Sequence, residues 1–143
     1  MKSFCIVCLA NYCRSPVAEH ILKHRFQGRY EFMSAGISPI SKPNMDPRSS
    51  QFLSDNDINY DFHTPKKINK KILTYFDKIL AVDLYVLSQL NTLYPKYRHK
   101  FLLLNLQFKD KNLLDPFKLK IDEYRKIMID IKYVSENINL EDI

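Results

Sequence analysis

Four short apolar runs punctuate the chain, Phe4–Cys8, Tyr30–Met33, Lys78–Val82 and Lys100–Leu104, each bounded by polar residues. Runs this short suit strands buried on both faces better than helices. Helical patterns lie between and after them. Pro16 to Phe26 places Val17, Ile21, Leu22 and Phe26 on one side, with Pro16 suited to a first helical position. Asp46 to Leu53 opens on a capping aspartate followed by Pro47. Leucines recur at 84, 87, 90 and 93, and the segment Ile121 to Asn137 carries Tyr124, Ile127, Met128, Ile131 and Val134. Strands alternating with helices predict an α/β fold: a single three-layer domain over residues 1–143, its central parallel four-stranded sheet flanked by helices on both faces. In such sheets ligands bind outside the carboxyl ends of the strands, and Cys8 stands at such an end.

Composition narrows the chemistry. A length of 143 residues fits one domain, and two glycines, Gly28 and Gly36, leave the tight turns to Asn, Asp, Ser and Pro. No apolar run approaches the roughly 18 residues that span a bilayer. The N-terminal run is too short for a signal segment and is cut off by the polar stretch Ala10–Arg14. A cytoplasmic protein without membrane insertion is therefore expected. All three cysteines lie within the first thirteen residues, which is no disulfide framework. No second Cys or His pair stands at ligand spacing, so neither metal nor cofactor is expected, and His20 and His24, four apart on one helix with no third ligand nearby, read as surface residues. The net charge of +6 favours an anionic substrate. Its basic residues are scattered apart from a modest cluster at Lys66, Lys67, Lys70 and Lys71, and no nucleic-acid-binding motif accompanies them, so nucleic acid is not the expected partner.

The segment Cys8-Leu9-Ala10-Asn11-Tyr12-Cys13-Arg14-Ser15-Pro16 carries the chemistry. A buried strand ends in a cysteine, five residues follow, and then an arginine precedes a helix start. Five residues, Leu9 to Cys13, can wrap a loop whose backbone N–H groups converge on one tetrahedral anion, with a helix N-terminus behind it. Arg14 adds a planar fork able to grip two phosphoryl oxygens. The same field favours the thiolate form of Cys8, poised in line with a bound phosphorus. Ser15 is placed to donate its hydroxyl to that thiolate, and Asn11 tolerates the left-handed backbone that a tight amide cradle requires. Cysteine and arginine at this spacing occur often by accident; the strand before and the Ser-Pro helix start after are what distinguish this pair.

The stretch Val7 to Glu19 resembles the signature of the low-molecular-weight protein tyrosine phosphatases. The resemblance continues through Ser34-Ala35-Gly36, Asp46-Pro47-Arg48 and Phe76 to Asp83, and ends at Asp115-Pro116-Phe117. It implies that Cys8 is the nucleophile, that Arg14 holds the phosphoryl group and that Asp115 is the general acid and base. It further implies that Asn11, Ser15, Ser34 and His63 brace the phosphate loop, although His63 reads equally as an ordinary loop histidine. Cys13 matches a second cysteine of many members, which either traps oxidised Cys8 as a disulfide or simply packs at the helix start. Cys5 reads as a core residue and Asp83 as a structural one.

Departures from the family pattern are Ala10 where glycine is usual, Tyr12 where isoleucine is frequent, and Lys118 after the aromatic Phe117. The last is similar to bacterial members associated with polysaccharide export. Tyr12, Ile40 and Phe117 are expected to wall a deep slot that fits a phenyl ring, with Lys118 placed to meet acidic residues around a phosphotyrosine. The implied partner is a phosphotyrosine-containing protein, by analogy a bacterial tyrosine kinase; the oligomeric state stays open. Two rival readings remain. A thioredoxin-coupled arsenate reductase would need resolving cysteines far beyond Cys13, and none exists. A degenerate phosphate-binding module would require that Ala10 or the altered loop after Asp115 disable the cradle.

Overall fold

The computed structural model describes residues 1–143. Strands β1 (Ser3–Cys8), β2 (Glu31–Gly36), β3 (Lys78–Ala81) and β4 (Phe101–Leu103) form one parallel sheet in the order β2-β1-β3-β4. Helices α1 (Ser15–Phe26), α2 (Pro47–Asp55), α3 (Lys70–Tyr75), α4 (Leu84–Leu93) and α5 (Ile121–Asn137) complete it. From β1 the chain steps one way to β2, then crosses back over β1 to β3 and on to β4. Parallel crossovers are right-handed, so these opposite directions put α1 on one face of the sheet and α3 and α4 on the other. The last helix, α5, packs against α1. The adjacent strands β1 and β3 thus send their following segments to opposite faces, and a crevice opens at their carboxyl ends.

Burial explains the strands that the sequence predicts. All six residues of β1 are buried, as a central strand covered on both faces must be. Strand β2 runs three residues past the expected end at Met33, with Ser34, Ala35 and Gly36 pairing with Ile6, Val7 and Cys8. Ser34 looks like a strand terminator, yet it is wholly buried because its hydroxyl has partners inside.

The helices depart from expectation in three places. Leu84 and Leu93 are 72% and 53% exposed, and α4 buries Leu90 together with Val86, which lies outside the leucine repeat. A helix turns about 100° per residue, so leucines nine positions apart lie on opposite sides, whereas the pair at 86 and 90 shares a face. Helix α3 gives no periodic signal, since Leu73 is its one buried residue. It is held by its ends: Asn69 accepts from Ile72 N at 2.9 Å, and Lys100 Nζ donates to the carbonyls of Leu73 (2.7 Å) and Phe76 (2.9 Å). His20 is buried rather than on the surface, while His24 is exposed. Helix α1 is enclosed by β1, β2, α2 and α5, so its second turn has no solvent face, and His20 Nδ1 donates to Pro16 O at 2.7 Å.

No helix is long and apolar enough to cross a membrane.

Candidate active site

The turn from β1 into α1 folds back on the sulfur of Cys8. Asn11 adopts φ +53°, and that left-handed step aims its N–H at Cys8 Sγ, 3.2 Å away. Ser15 Oγ lies 2.9 Å from the same sulfur. Asn11 Nδ2 donates to Ser15 Oγ (2.9 Å) and to Ser34 Oγ (3.0 Å), while its Oδ1 accepts from Lys66 N (2.9 Å). Because Lys66 N can only donate, the amide orientation is determined, and Ser15, already accepting from Asn11, has its own proton free for the sulfur. Ser34 in turn donates to the buried carboxylate of Glu19, which Lys23 Nζ meets at 2.6 Å. Burial pushes the Glu19 carboxyl up, but the bonds from Lys23 and Ser34 outweigh it and hold the group below the usual glutamate range. His63 Nε2 donates to Asn11 O at 2.8 Å.

Close packing behind the loop depends on Gly36. A Cβ there would stand 2.8 Å from Asn11 N and 2.9 Å from Leu9 O, both backbone atoms. Ala10 lies outside the left-handed region, so its methyl group brings no backbone strain to the cradle. The carbonyls of Cys8, Leu9 and Ala10 accept from Ile37, Ser38 and Ile40 N–H, which pins the segment after β2 along the loop.

Arg14 is 2% exposed, and a buried guanidinium needs partners. Nη1 finds two, Asp83 Oδ2 at 2.6 Å and Leu113 O at 2.7 Å. Asp83 serves twice, since its Oδ1 also caps α4 by accepting from Val86 N. Nη2 lies 4.0 Å from Asp115 Oδ2.

Asp115 belongs to the long irregular segment between β4 and α5. Leu113 is buried, Asn112 N donates to Asp130 Oδ2 and Leu114 N to Asn112 Oδ1, and Asp115 Oδ1 accepts from Phe117 N at 3.1 Å. Arg48 ties down the far side, donating to Phe117 O and Leu119 O at 3.0 Å each. The Arg48 guanidinium is itself aligned by Asp46, through Nε to Oδ1 (3.0 Å) and Nη2 to Oδ2 (2.9 Å), and lies 3.9 Å above the Tyr124 ring. Asp46 N donates to Tyr12 O, so one short motif holds both the cysteine loop and the Asp115 loop.

A cavity of about 420 Å³ opens between them, lined by Cys8, Leu9, Ala10, Cys13, Arg14, Ser38, Ile40, Asp115 and Phe117. It thus brings together Cys8, Arg14 and Asp115, with Ile40 and Phe117 as apolar walls. Tyr12 does not line it. Its ring is buried and packs edge-on against Phe117, centroids 6.2 Å apart, so it backs the wall instead of forming it. Lys118 does not line it either, because the turn held by Arg48 leaves that side chain exposed outside the mouth. Cys13 is a free, buried thiol 3.8 Å from Asp46 Oδ2; burial first, then the neighbouring carboxylates, push it up to about 12 despite a lowering contact with Tyr124. Cys5 is buried in the core strand. Glu19, Gly36, Arg48 and the Leu113 carbonyl escaped the sequence reading. Each acts through a contact distant in sequence, and only the short motifs around them were visible.

Comparison with known proteins agrees with this geometry. The chain is 26% identical over 126 residues to the low molecular weight protein-tyrosine-phosphatase Etp of Escherichia coli K12, covering 88% of this chain and 84% of that one. Its fold matches Vibrio vulnificus Wzb in complex with benzylphosphonate at a TM-score of 0.86, with 21% identity and 94% of each chain covered. It matches the YwlE arginine phosphatase from Geobacillus stearothermophilus equally well, at a TM-score of 0.86, 20% identity, and 95% and 89% coverage. The family model described as low molecular weight phosphotyrosine protein phosphatase matches residues 3–141, a span that takes in the cysteine loop, the whole sheet and the Asp115 segment, and the chain belongs to that family.

Proposed function

We propose that the protein hydrolyses phosphotyrosine through a phosphocysteine on Cys8. The observation that carries this reading is the cavity in which Cys8, Arg14 and Asp115 meet beneath apolar walls. The phosphoryl group sits in the cradle of N–H groups with Arg14 Nη2 on its equatorial oxygens, while Nη1 stays occupied by Asp83 and Leu113. The Cys8 thiolate attacks phosphorus, the P–O bond to the ring breaks, and Asp115 gives its proton to the leaving phenolate oxygen. Water then attacks the phosphocysteine, Asp115 takes the water's proton, and the thiolate leaves with the Ser15 hydroxyl donating to it.

Aryl phosphate is favoured over phosphoarginine because Leu9, Ile40 and Phe117 offer a ring apolar walls, and Asp115, already engaged by the acid step, is the one carboxylate lining the cavity to meet a guanidinium. The substrate is proposed to be a phosphotyrosine-bearing protein in the cytoplasm, such as a bacterial tyrosine kinase, with Lys118 outside the mouth meeting its acidic flanks.

Hydrolysis of p-nitrophenyl phosphate and of phosphotyrosine and phosphoarginine peptides tests the reading. Wild type is expected to turn over the aryl esters, and Cys8→Ser to abolish all activity. Asp115→Asn should slow phosphotyrosine by about 10²–10⁴-fold while leaving inhibition by inorganic phosphate nearly unchanged. Activity surviving Cys8→Ser, or a preference for phosphoarginine, would overturn the proposal.

A further inference from the structure

Beside the catalytic cavity lies a second cleft of about 350 Å³, at the carboxyl ends of β3 and β4. Its walls include Leu84, Leu106 and Leu114, which are 72%, 42% and 55% exposed, together with Lys109 and Lys111. Asp83 and Leu113 line it too, and these are the two residues that hold Arg14 Nη1. The two cavities are therefore divided by the contact of Arg14 with Asp83 and Leu113, and Leu114 of the second cleft directly precedes Asp115 of the first.

We propose that this leucine-lined, lysine-flanked cleft docks an acidic segment, carrying one large apolar side chain, that flanks the phosphotyrosine of the substrate protein; the inference rests on the phosphotyrosine reading of the Cys8 site.

Three observations select that occupant. Exposed leucines clustered in a single concavity are a surface that gains by being covered, unlike leucines scattered singly. The cleft's charge is unbalanced: Asp83 is spent on Arg14 and on the cap of α4, Lys109 is exposed with no carboxylate within ion-pair distance, and Lys111 faces the Tyr133 ring with Asp110 at 3.8 Å. An acidic peptide complements this, whereas a second copy of a chain of net charge +6 would bring like charge. Finally, the cleft adjoins the cavity that receives the phosphorylated residue, since Leu114 of one precedes Asp115 of the other, so a peptide anchored by its phosphate presents its neighbours to the leucines with little added loss of freedom.

The test uses the whole chain in the Cys8→Ser background, with fluorescent phosphotyrosine peptides and an anisotropy readout. One series carries a Leu-Asp pair stepped through successive positions on either side of the phosphotyrosine; the control peptide carries Ala-Ser there. At the matching position the Leu-Asp peptide is expected to bind about tenfold more tightly than the control, from one buried leucine and one charge contact. Leu84→Ser combined with Lys109→Glu should erase that difference, while the same pair of substitutions in an otherwise wild-type chain leaves p-nitrophenyl phosphate turnover unchanged. Equal affinities at every position, or a preference that survives the double substitution, would overturn the docking proposal. So would a dimer in sedimentation that the double variant dissociates. Loss of the Cys8 chemistry itself would appear separately, as failure of the wild-type chain to hydrolyse p-nitrophenyl phosphate, and the binding series would still report on the cleft.

Discussion

At Asn11 a single left-handed residue satisfies five polar contacts: its N–H to Cys8, its amide to Ser15, Ser34 and Lys66, and its carbonyl to His63. That geometry leaves no spare volume behind the loop, which is why Gly36 matters more than its modest position at the end of β2 implies. Gly36→Ala would push its methyl group against two backbone atoms, displacing the amides that face the phosphate. Turnover of p-nitrophenyl phosphate should fall by about 10–100-fold, checked by steady-state kinetics beside a far-UV spectrum that stays native. His63 carries a pH prediction. Burial favours its neutral form and, outweighing the bond to Asn11 O, lowers its pKa below the ordinary 6.5. Unfolding therefore takes up protons once the pH drops below 6.5, so this share of stability is complete above that value and is lost as the pH falls through the folded-state pKa. Thermal midpoints should decline over that window, and His63→Gln should flatten the decline. An unchanged slope would mean the neutral ring is not what the fold demands.

Between elements, the Asp46-Pro47-Arg48 turn at the start of α2 does the coupling. It caps its own helix, with Arg48 N donating to Asp46 Oδ1 at 2.9 Å, donates to the cysteine loop at Tyr12 O and grips the Asp115 loop through Phe117 O and Leu119 O. Burial alone would raise the Asp46 carboxyl, but the bonds from Arg48 reverse that and keep it below the usual aspartate range. Arg48→Met would leave Asp46 short of its partner and free two carbonyls. We expect a stability loss of about 1–3 kcal/mol in denaturant melts, and a drop in phosphotyrosine turnover that exceeds any loss in inorganic phosphate inhibition, because the acid loop loosens while the cradle keeps its own bonds. Equal losses in both would place Arg48 in the cradle instead.

Across the whole molecule, the order β2-β1-β3-β4 makes the site a product of the sheet: β1 supplies Cys8 and the loop, the turn from β3 into α4 supplies Asp83, and the segment beyond β4 brings Leu113 and Asp115. A ligand that fills the site should therefore stabilise the entire fold. Inorganic phosphate at 100 times its dissociation constant is expected to add about 2.7 kcal/mol, read as a rise in the melting temperature of the wild type and absent in Arg14→Ala. A rise of the same size in Arg14→Ala would locate phosphate elsewhere.

Local signals alone specified the parts that depend on near neighbours. Short buried runs identified four strands, the proline and aspartate caps opened α1 and α2, and the spacing from Cys8 to Arg14 marked the loop, since five intervening residues suffice to close a cradle. What chain-local patterns could not carry was everything made by distant partners. The last three residues of β2 were hidden because Ser34 is satisfied by Asn11, 23 positions away. Helix α3 was hidden because Lys100 completes its end. The burial of His20, the retreat of Tyr12 behind Phe117 and the grip of Arg48 on the Asp115 loop were likewise decided only in three dimensions. A side chain's burial and its hydrogen-bond partners follow from which elements the tertiary fold brings against it, and sequence spacing records that only within a single helix, strand or turn.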